Sequence, residues 1–228
     1  MTTRAPETDG RRRAAASRRR AREAEIIAAT RAEFDREGVG EMRIEDIARS
    51  VGINRAIVYR VFTGKEELFA LTLVSYLDEL RDELSAASDS STVPAERLAA
   101  IVGAFVDYGV AHPAFVDCAQ ALMRRRGTDL LEEITESALF RLGRAISACL
   151  TILTTALQDG VASGDFTTTG DPTLMANTLY ASGLGALQLA RVGILVTETA
   201  PGVPTVGAIT AEQVREHLVA SALALAGR

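Results

Sequence analysis

Four residues of one short segment form a face suited to phosphate oxygens and to the edges of bases: Arg55, Ala56, Tyr59 and Arg60. The apolar residues between them recur at helical spacing, so a helix over this segment leaves these four on one side. Arginine can donate two hydrogen bonds to guanine, and a tyrosine hydroxyl can reach a phosphate oxygen. A small alanine beside them allows close approach. This composition favours contact with duplex DNA.

The segment that positions these residues is predicted to be a helix-turn-helix. An apolar repeat over 44–51 predicts one short helix, and Gly52 can end it in a left-handed conformation without a steric clash. Asn54 can cap the second helix, because its side-chain oxygen accepts from an exposed backbone N–H. Lys65 begins a further helix, at an N-terminus that favours an anion. In a helix-turn-helix the second helix enters the major groove of DNA.

The run from Arg22 to Phe69 resembles the N-terminal DNA-binding domain of the TetR family of transcriptional regulators. The matching elements, in order, are I-I-x-A, F-x-x-x-G, I-A-x-x-V-G-I, V-Y-x-x-F and K-E-x-L. This ordered set is more specific than a bare helix-turn-helix pattern, which also occurs in ordinary helical hairpins with solvated charges. Two positions depart from the family, since Arg43 and Asn54 stand where Ser or Thr is common at the helix caps.

The resemblance implies that the second helix of the motif meets the bases and that neighbouring residues meet the phosphates. We expect Arg55 and Arg60 to reach base edges, with Ala56 allowing the close approach. The expected phosphate contacts are Arg22, Arg43, Asn54, Tyr59 and Lys65.

The distribution of charge agrees with this interpretation, although the 228-residue chain has a net charge of −5. Residues 1–69 contain 15 basic and 12 acidic side chains, whereas residues 70–228 contain 10 and 18. Attraction to phosphate depends on the local face rather than on the charge of the whole chain. The basic residues are concentrated where the motif lies.

Residues 1–17 are polar and, with the arginines at 18–20, strongly basic. We predict a disordered arm over 1–17, because the segment offers little apolar surface to bury. The arm either adds phosphate or minor-groove contacts or remains a solvated tail. Its arginines are not followed by an apolar segment, and no uninterrupted apolar run reaches membrane-spanning length. We therefore expect a cytoplasmic protein.

The chain is predicted to be all-α, with about nine helices in two domains. An N-terminal three-helix helix-turn-helix DNA-binding domain spans 18–69, and a C-terminal helical effector-binding and dimerisation domain spans 70–228. Almost nothing in the sequence has the pattern of a strand.

Local signals divide the C-terminal part. A long helix is predicted from residue 129 to about 160. Asp171 before Pro172 predicts a helix start, with the helix running to about 196, and Thr210 with Gln213 forms a candidate capping box. The Pro- and Gly-containing residues 200–207 are predicted to form a loop.

No group of residues predicts catalysis or a metal site. Cys118 and Cys149 lie in apolar helical contexts, where small buried hydrophobic residues are favoured over a disulfide. His112 and His217 do not have metal-ligand spacing. The sequence also lacks a nucleophile with a nearby base and a phosphate-binding glycine loop. We therefore expect no enzyme activity, no metal and no cofactor.

The resemblance implies a small-molecule pocket among the C-terminal helices, and a mostly apolar lining with a few polar groups is usual for such a pocket. We expect a small apolar ligand with one polar end, which Tyr108, Asn177 or Tyr180 would bind. A filled core is the alternative, since apolar stripes at helical spacing are common in cores. The candidate ligand residues are Phe105, Tyr108, Phe115, Cys118, Leu122, Phe140, Met175, Asn177 and Tyr180.

The resemblance also implies a homodimer, and the last two predicted helices have wide apolar faces with clustered small residues. Glycine within a helix costs about 1 kcal/mol relative to alanine, so two close together indicate a packing role. That role is contact with a second copy or close packing within one chain. The candidate interface residues are Leu179, Gly183, Gly185, Ala186, Leu218, Ala222 and Leu225.

Together these features predict a homodimeric transcriptional regulator, a repressor that a small apolar effector releases from a palindromic operator. An effector-free or activating DNA-binding protein with a filled C-terminal core is the alternative. The absence of catalytic residues disfavours an enzyme.

Overall fold

The computed structural model describes residues 6–40 and 42–228 of the chain. Over these residues it contains ten helices and one two-stranded antiparallel ribbon, so the all-α class is confirmed and the ribbon is an addition. The elements are α1 (Pro6–Glu37), α2 (Ile44–Ser50), α3 (Arg55–Val61), α4 (Lys65–Ser88), α5 (Pro94–Ala111), α6 (Pro113–Met123), α7 (Gly127–Glu133), α8 (Glu136–Ser163), α9 (Pro172–Val192), β1 (Ile194–Ala200), β2 (Val203–Ala208) and α10 (Ala211–Leu225).

The first three helices enclose a small core that fixes the helix-turn-helix. Ile26 and Phe34 of α1 are buried with Ile47 of α2 and Val58 of α3. The turn between α2 and α3 contains Gly52 at φ +69°, a conformation that residues with a side chain rarely adopt. The structure thus confirms the apolar repeat as the buried side of α2 and Gly52 as the residue that ends this helix.

Helix α4 joins the DNA-binding helices to the rest of the chain. It packs against α1 on one side and against α5, α6 and α8 elsewhere, and its leucines are buried from Leu68 to Leu84. The domain boundary predicted after residue 69 therefore falls inside one continuous helix. Helix α4 therefore belongs to the packing of both halves of the molecule.

The C-terminal half is a helical bundle in which α8 packs on α4, and α10 packs on α5 and α9. The predicted start signals are confirmed. The Asp171 side chain accepts from the backbone N–H of Thr173 at 2.9 Å, and Thr210 and Gln213 form a reciprocal capping box.

Helix α8 is long and apolar enough to cross a membrane by length and hydropathy, which the sequence pattern did not indicate. Its buried side chains, including Leu142, Cys149 and Leu157, face the helices around it. Contacts with α4, α5 and α9 are those of a core helix.

Three predicted segments differ in the structure. The arm expected to be disordered over 1–17 is helical from Pro6, because its arginines and alanines are good helix formers that extend the buried part of α1. Residues 1–5 lie outside the described residues. The helix predicted from 129 to 160 is interrupted, since Thr135 caps a new helix by accepting from the N–H of Ala138.

The third difference is the segment after α9. The helix ends at Val192, where Gly193 adopts φ +69°, and the predicted loop over 200–207 is instead most of a β-hairpin. Alternating β-branched residues favour strands here, and the Pro201-Gly202 turn reverses the chain.

Candidate nucleic-acid interface and interior cavity

Helix α3 presents the four residues singled out from the sequence on its solvent side. Arg55, Ala56, Tyr59 and Arg60 are all exposed, and the Tyr59 side chain is 53% exposed despite its size. Val58 is buried against α1 and α2, so the helix has one face in the core and one face free to meet a ligand. The Asn54 oxygen accepts from the N–H of Ala56 at 2.9 Å and fixes the start of this helix.

Arg55 does not extend freely into solvent. Its guanidinium lies 3.0 Å from the Glu45 carboxylate of α2. The backbone N–H of Glu45 and, next, the Arg55 guanidinium hold the pKa of Glu45 below its usual value. A base that accepts hydrogen bonds from Arg55 must therefore displace the Glu45 carboxylate or share the Arg55 guanidinium with it.

The expected phosphate-contact residues lie around this face in different settings. Lys65 begins α4 with its Nζ 4.9 Å from the centre of the Phe69 ring. Arg43 precedes α2 and is exposed, and in the described part of the chain its side chain makes no capping hydrogen bond. Arg22 lies on α1, paired with Glu25 at 2.7 Å.

The structure places two arginines of the basic N-terminal segment beside this face. Arg19 and Arg20 of α1 line an open cleft of about 610 Å³ together with Tyr59, Arg60 and Arg141. The signal for them is the arginine triplet at 18–20, but a sequence cannot show that this part of α1 passes beside the end of α3. The cleft extends the basic surface beyond the helix-turn-helix.

A buried carboxylate lies at the floor of that cleft. Glu67 of α4 accepts hydrogen bonds from the backbone N–H of Thr63 at 2.6 Å, from the Thr63 hydroxyl at 2.7 Å and from the Thr135 hydroxyl. Burial alone would raise the pKa of Glu67, but these hydrogen bonds outweigh burial and lower it. Glu67 thus links Thr63, which follows the C-cap of α3, to Thr135, which is the N-cap of α8.

Polar contacts tie α1 to the C-terminal helices at further points. Arg141 of α8 forms an ion pair with Glu23, and the Tyr76 hydroxyl of α4 donates to Asp35 at 2.7 Å. Arg31 pairs with Glu79, whose carboxylate also accepts from the Tyr108 hydroxyl at 3.1 Å. These contacts hold α1 against α4 and α8, and Tyr108 of α5 supports the Glu79 carboxylate that pairs with Arg31.

Within the described part of the chain, the C-terminal bundle contains an apolar cavity of about 40 Å³. That volume accommodates a few atoms, whereas ligand pockets occupy roughly 300–1,000 Å³. Its walls come from α4, α5, α8, α9 and α10. The lining residues are Leu80, Leu84, Ile101, Val102, Phe105, Cys149, Leu150, Leu153, Leu179, Tyr180 and Leu218.

Four of the predicted ligand residues form one aromatic cluster. Ring centres are 5.9 Å apart for Tyr180 and Phe105, 6.3 Å for Phe105 and Phe115, and 5.5 Å for Phe115 and Tyr108. Only Phe105 and Tyr180 border the cavity. Cys118 is buried in the core near this cluster and does not line the cavity.

The other predicted ligand residues lie elsewhere, which corrects the prediction. Phe140 points away from the core and is 72% exposed, and Asn177 is exposed with its amide donating to the Thr173 carbonyl. Met175 is half-buried beside Thr168, and Leu122 is half-buried near the end of α6. Helical spacing alone did not show which side of each helix faced inward.

The predicted dimer residues divide into two groups. Leu179, Gly183, Leu218 and Ala222 are buried within one chain, which corrects the assignment of these four to the surface. The close approach that requires Gly183 is internal, because a Cβ there would lie 2.6 Å from Cε1 of Phe105. The exposed or half-buried members are Gly185, Ala186 and Leu225.

No chemistry beyond binding emerges from the described residues. Among them no cluster of His, Cys, Asp and Glu could hold a metal ion. Burial raises the pKa of the Cys149 thiol to about 12 and also raises that of Cys118, so neither thiol is activated as a nucleophile.

Comparison with known proteins agrees with this geometry. Residues 26–71 match a family model described as bacterial regulatory proteins, tetR family. A curated relative, the HTH-type transcriptional regulator BetI of Rhizobium meliloti, is 35% identical over 81 residues. That alignment covers 36% of this chain and 39% of the relative, so the chain matches about two fifths of the length of its curated relatives.

Solved structures share the whole fold at low identity. A bacterial regulatory protein in the tetR family from Rhodococcus RHA1 has a TM-score of 0.64 and 18% identity, covering 90% of this chain and 96% of that one. The transcriptional regulator FadR from Bacillus subtilis, solved in complex with stearoyl-CoA, has a TM-score of 0.64 and 12% identity, covering 89% and 98%. The similarity extends across both the N-terminal and the C-terminal helices.

Proposed function

We propose that the chain is a TetR-family DNA-binding transcriptional regulator, and specifically a cytoplasmic homodimeric repressor of a palindromic operator. The observation that carries the proposal is the solvent face of α3, where Arg55, Tyr59 and Arg60 stand together opposite a buried apolar face. In the proposed complex the two α3 helices of a dimer enter successive major grooves about 34 Å apart.

The residues around α3 divide between specificity and affinity in this proposal. Arg55 and Arg60 hydrogen-bond to base edges, and Ala56 allows α3 to approach the groove closely. The phosphate contacts of Arg22, Arg43, Asn54, Tyr59 and Lys65 position the helix without reading sequence. Arg19 and Arg20, on the cleft shared with Tyr59, add further positive charge.

We also propose that an apolar small molecule relieves repression by binding within the C-terminal bundle. Two observations support this: the cavity is lined by apolar residues with Tyr180 at one wall, and FadR from Bacillus subtilis was solved with stearoyl-CoA. Such a ligand must enlarge the 40 Å³ space by moving α5, α8 or α9. It releases DNA only if it binds the DNA-incompetent state more tightly.

A second candidate is an effector-free regulator, and the small size of the cavity specifically favours it. A space of about 40 Å³ is within the range of ordinary packing defects and does not require a ligand. In that case the C-terminal bundle serves dimerisation alone.

Selection of bound DNA from a random duplex pool tests the proposed function. The expected result is enrichment of an inverted repeat with half-site centres about one helical turn apart. The matched control is the double variant Arg55→Ala/Arg60→Ala, whose substitutions are both on the exposed face and should leave folding unchanged. Failure of the wild-type protein to enrich any sequence, or equal enrichment by the double variant, would overturn the assignment of α3.

A thermal-shift series with stearoyl-CoA, stearate and small aromatic hydrocarbons separates the two candidates. A ligand at a hundredfold excess over its Kd raises the Tm by about 5–10 °C for a chain of this size. Leu153→Phe fills the cavity and should remove the shift. An effector also lowers operator affinity, whereas the effector-free candidate predicts no shift and unchanged operator binding throughout the series.

A further inference from the structure

The β-hairpin between α9 and α10 has one mainly apolar face and a second face that carries paired threonines together with Leu195. Strand pairing sets Ile194 opposite Ala208 and Val196 opposite Val206, and these four side chains share a face. On the other face the hydroxyls of Thr197 and Thr205 are 2.9 Å apart. The alternation resembles that of a strand pair with one buried side.

The apolar face is uncovered within one chain. Val206 is 71% exposed, Val196 68% and Ile194 47%, and every residue of β1 is exposed. Glu198 is the one charged residue between positions 194 and 208, and it lies at the turn end of this face, opposite Pro204, where its carboxylate accepts from the backbone N–H of Gly202. A two-stranded ribbon is marginally stable alone in water, and none of the described helices packs over this one. An apolar partner surface would stabilise it.

The position of the ribbon indicates what that partner is. It follows α9 after Val192, and the outward side of α9 carries a row of small and apolar residues that continues toward the ribbon, with the polar Asn177, Thr178 and Ser182 beside it. The exposed residues of this row are Leu174, Ala181, Gly185, Leu189 and Val192. The helix face and the apolar ribbon face thus form one continuous strip.

We propose that the hairpin is a dimerisation arm whose apolar face packs against a second copy of this chain. The proposal rests on the proposed homodimer and extends its α9–α10 interface by the residues 194–208. Across a two-fold axis each arm is covered by the other protomer, so both apolar faces are removed from water by one symmetric contact.

The size of the arm determines how strongly it should contribute. Seven residues of β1 span roughly 24 Å, so the face of the two strands covers on the order of 200 Å². A stable interface buries about 800 Å² per partner. The arm is therefore about a quarter of the proposed interface, and its loss should weaken the dimer without removing the helical part.

The arm also lies at the DNA-binding end of α9. Arg191, just before it, pairs with Asp117 of α6 at 2.7 Å, and Val192 shares an open cleft with Gly38 and Lys65 of the DNA-binding domain. A contact between protomers at this end holds the two helix-turn-helix domains at a defined separation. Weakening it should lower operator affinity as well as dimer affinity.

The test is the dimer dissociation constant measured by analytical ultracentrifugation for matched single variants. Val196→Asp places a charge on the apolar face, and Thr197→Asp places the same charge on the polar face of the same strand. We expect Val196→Asp to raise the Kd at least about tenfold, which corresponds to about 1.4 kcal/mol, and Thr197→Asp to change it less than threefold. Equal Kd values for wild type and Val196→Asp would overturn the proposed dimerisation arm, because the Val196 side chain would then not lie in the contact between protomers.

A deletion variant keeps the test decisive if Val196→Asp misfolds. The N–H of Ile209 donates to the carbonyl of Gly193 at 3.2 Å, so a two-glycine linker can replace residues 194–208 without moving α9 or α10. Helical circular dichroism equal to wild type with a raised Kd supports the arm. A wild-type protein that is monomeric at every concentration contradicts the proposed homodimer itself, whereas a dimeric deletion variant of unchanged Kd contradicts only the arm.

Discussion

The hydroxyl of Thr135 at the start of α8 donates a hydrogen bond to the buried carboxylate of Glu67 on α4. The second carboxylate oxygen accepts from the N–H and the hydroxyl of Thr63, which follows the C-cap of α3. Further along, α8 contributes Cys149 and Leu153 to the cavity wall. One carboxylate therefore links α8, which also lines the cavity, to the end of the helix proposed to read DNA.

Glu67→Gln should uncouple these two helices and destabilise the protein. The amide would direct an N–H toward donors that the carboxylate now satisfies, which should lower the free energy of unfolding by about 1.5–3 kcal/mol at pH 7. Because the folded-state pKa of Glu67 is lowered, its contribution is present above the unfolded pKa of about 4.3 and is lost as pH falls through the folded value. Urea unfolding between pH 3 and pH 7 should show a shallower acid limb for the variant.

The matched control is Glu66→Gln, which removes the same charge from the neighbouring, partly exposed position. We expect a change of less than about 0.5 kcal/mol there. An effect of Glu66→Gln as large as that of Glu67→Gln would mean that charge, rather than the hydrogen bonds of Glu67, stabilises this junction.

Two variants should separate a neutral from a charged phosphate contact. Lys65→Gln removes a cation, so the slope of log K against log salt should fall by about 0.9 per contact, or about 1.8 for a dimer. Tyr59→Phe removes only a hydroxyl and should weaken binding to all sequences with an unchanged slope. Fluorescence anisotropy at several salt concentrations measures both. A changed slope for Tyr59→Phe, or an unchanged one for Lys65→Gln, would contradict these assignments.

The two glycines of α9 should respond in opposite ways to alanine. At Gly183 the new Cβ would lie 2.6 Å from the Phe105 ring, so repacking should cost about 1–3 kcal/mol. At Gly185 no described heavy atom lies within 4 Å, and alanine should stabilise the helix by about 0.5–1 kcal/mol. Urea denaturation at one protein concentration compares the two. Destabilisation at both sites would indicate that the partner protomer packs closely on Gly185.

The two cysteines should report opening of the cavity. Burial raises the pKa of Cys149 to about 12, which lowers its thiolate fraction about a thousandfold relative to an ordinary thiol. Both thiols should react slowly with Ellman's reagent in the native protein and rapidly in urea. Since only Cys149 borders the cavity, local opening should expose it before Cys118. Cys149→Ser identifies the faster thiol, and faster reaction of Cys118 would contradict the proposed route of opening.

Patterns set by neighbouring residues were sufficient for the DNA-binding half. The apolar repeat of α2, the turn at Gly52 and the cap at Asn54 each depend on residues a few positions apart, and the structure contains all three. The contacts of these residues with DNA remain predictions. The ion pair of Arg55 with Glu45 spans ten positions and depends on how α2 and α3 cross, so no local pattern predicts it.

The C-terminal half shows where local patterns are insufficient. Phe140 and Phe105 both belong to apolar stripes, yet one is exposed and the other lines the cavity. From the sequence, Leu179 and Leu218 were compatible with either a dimer surface or the core of one chain. Both are buried in the structure because α9 and α10 pack on α5. A wide apolar face on a helix does not reveal which neighbour covers it.

Spacing within one or two helical turns was enough to indicate the resemblance to the TetR family, the helix-turn-helix with its caps and turn, and the outward face of α3. Helix packing was needed to show which C-terminal residues meet at a cavity, that Glu67 links the end of α3 to α8, and that the segment after α9 is an uncovered ribbon. These features depend on contacts between residues far apart in the chain, such as Glu67 and Thr135, which are separated by 68 positions. Such contacts are fixed by how whole helices pack rather than by the residues next to them in the chain.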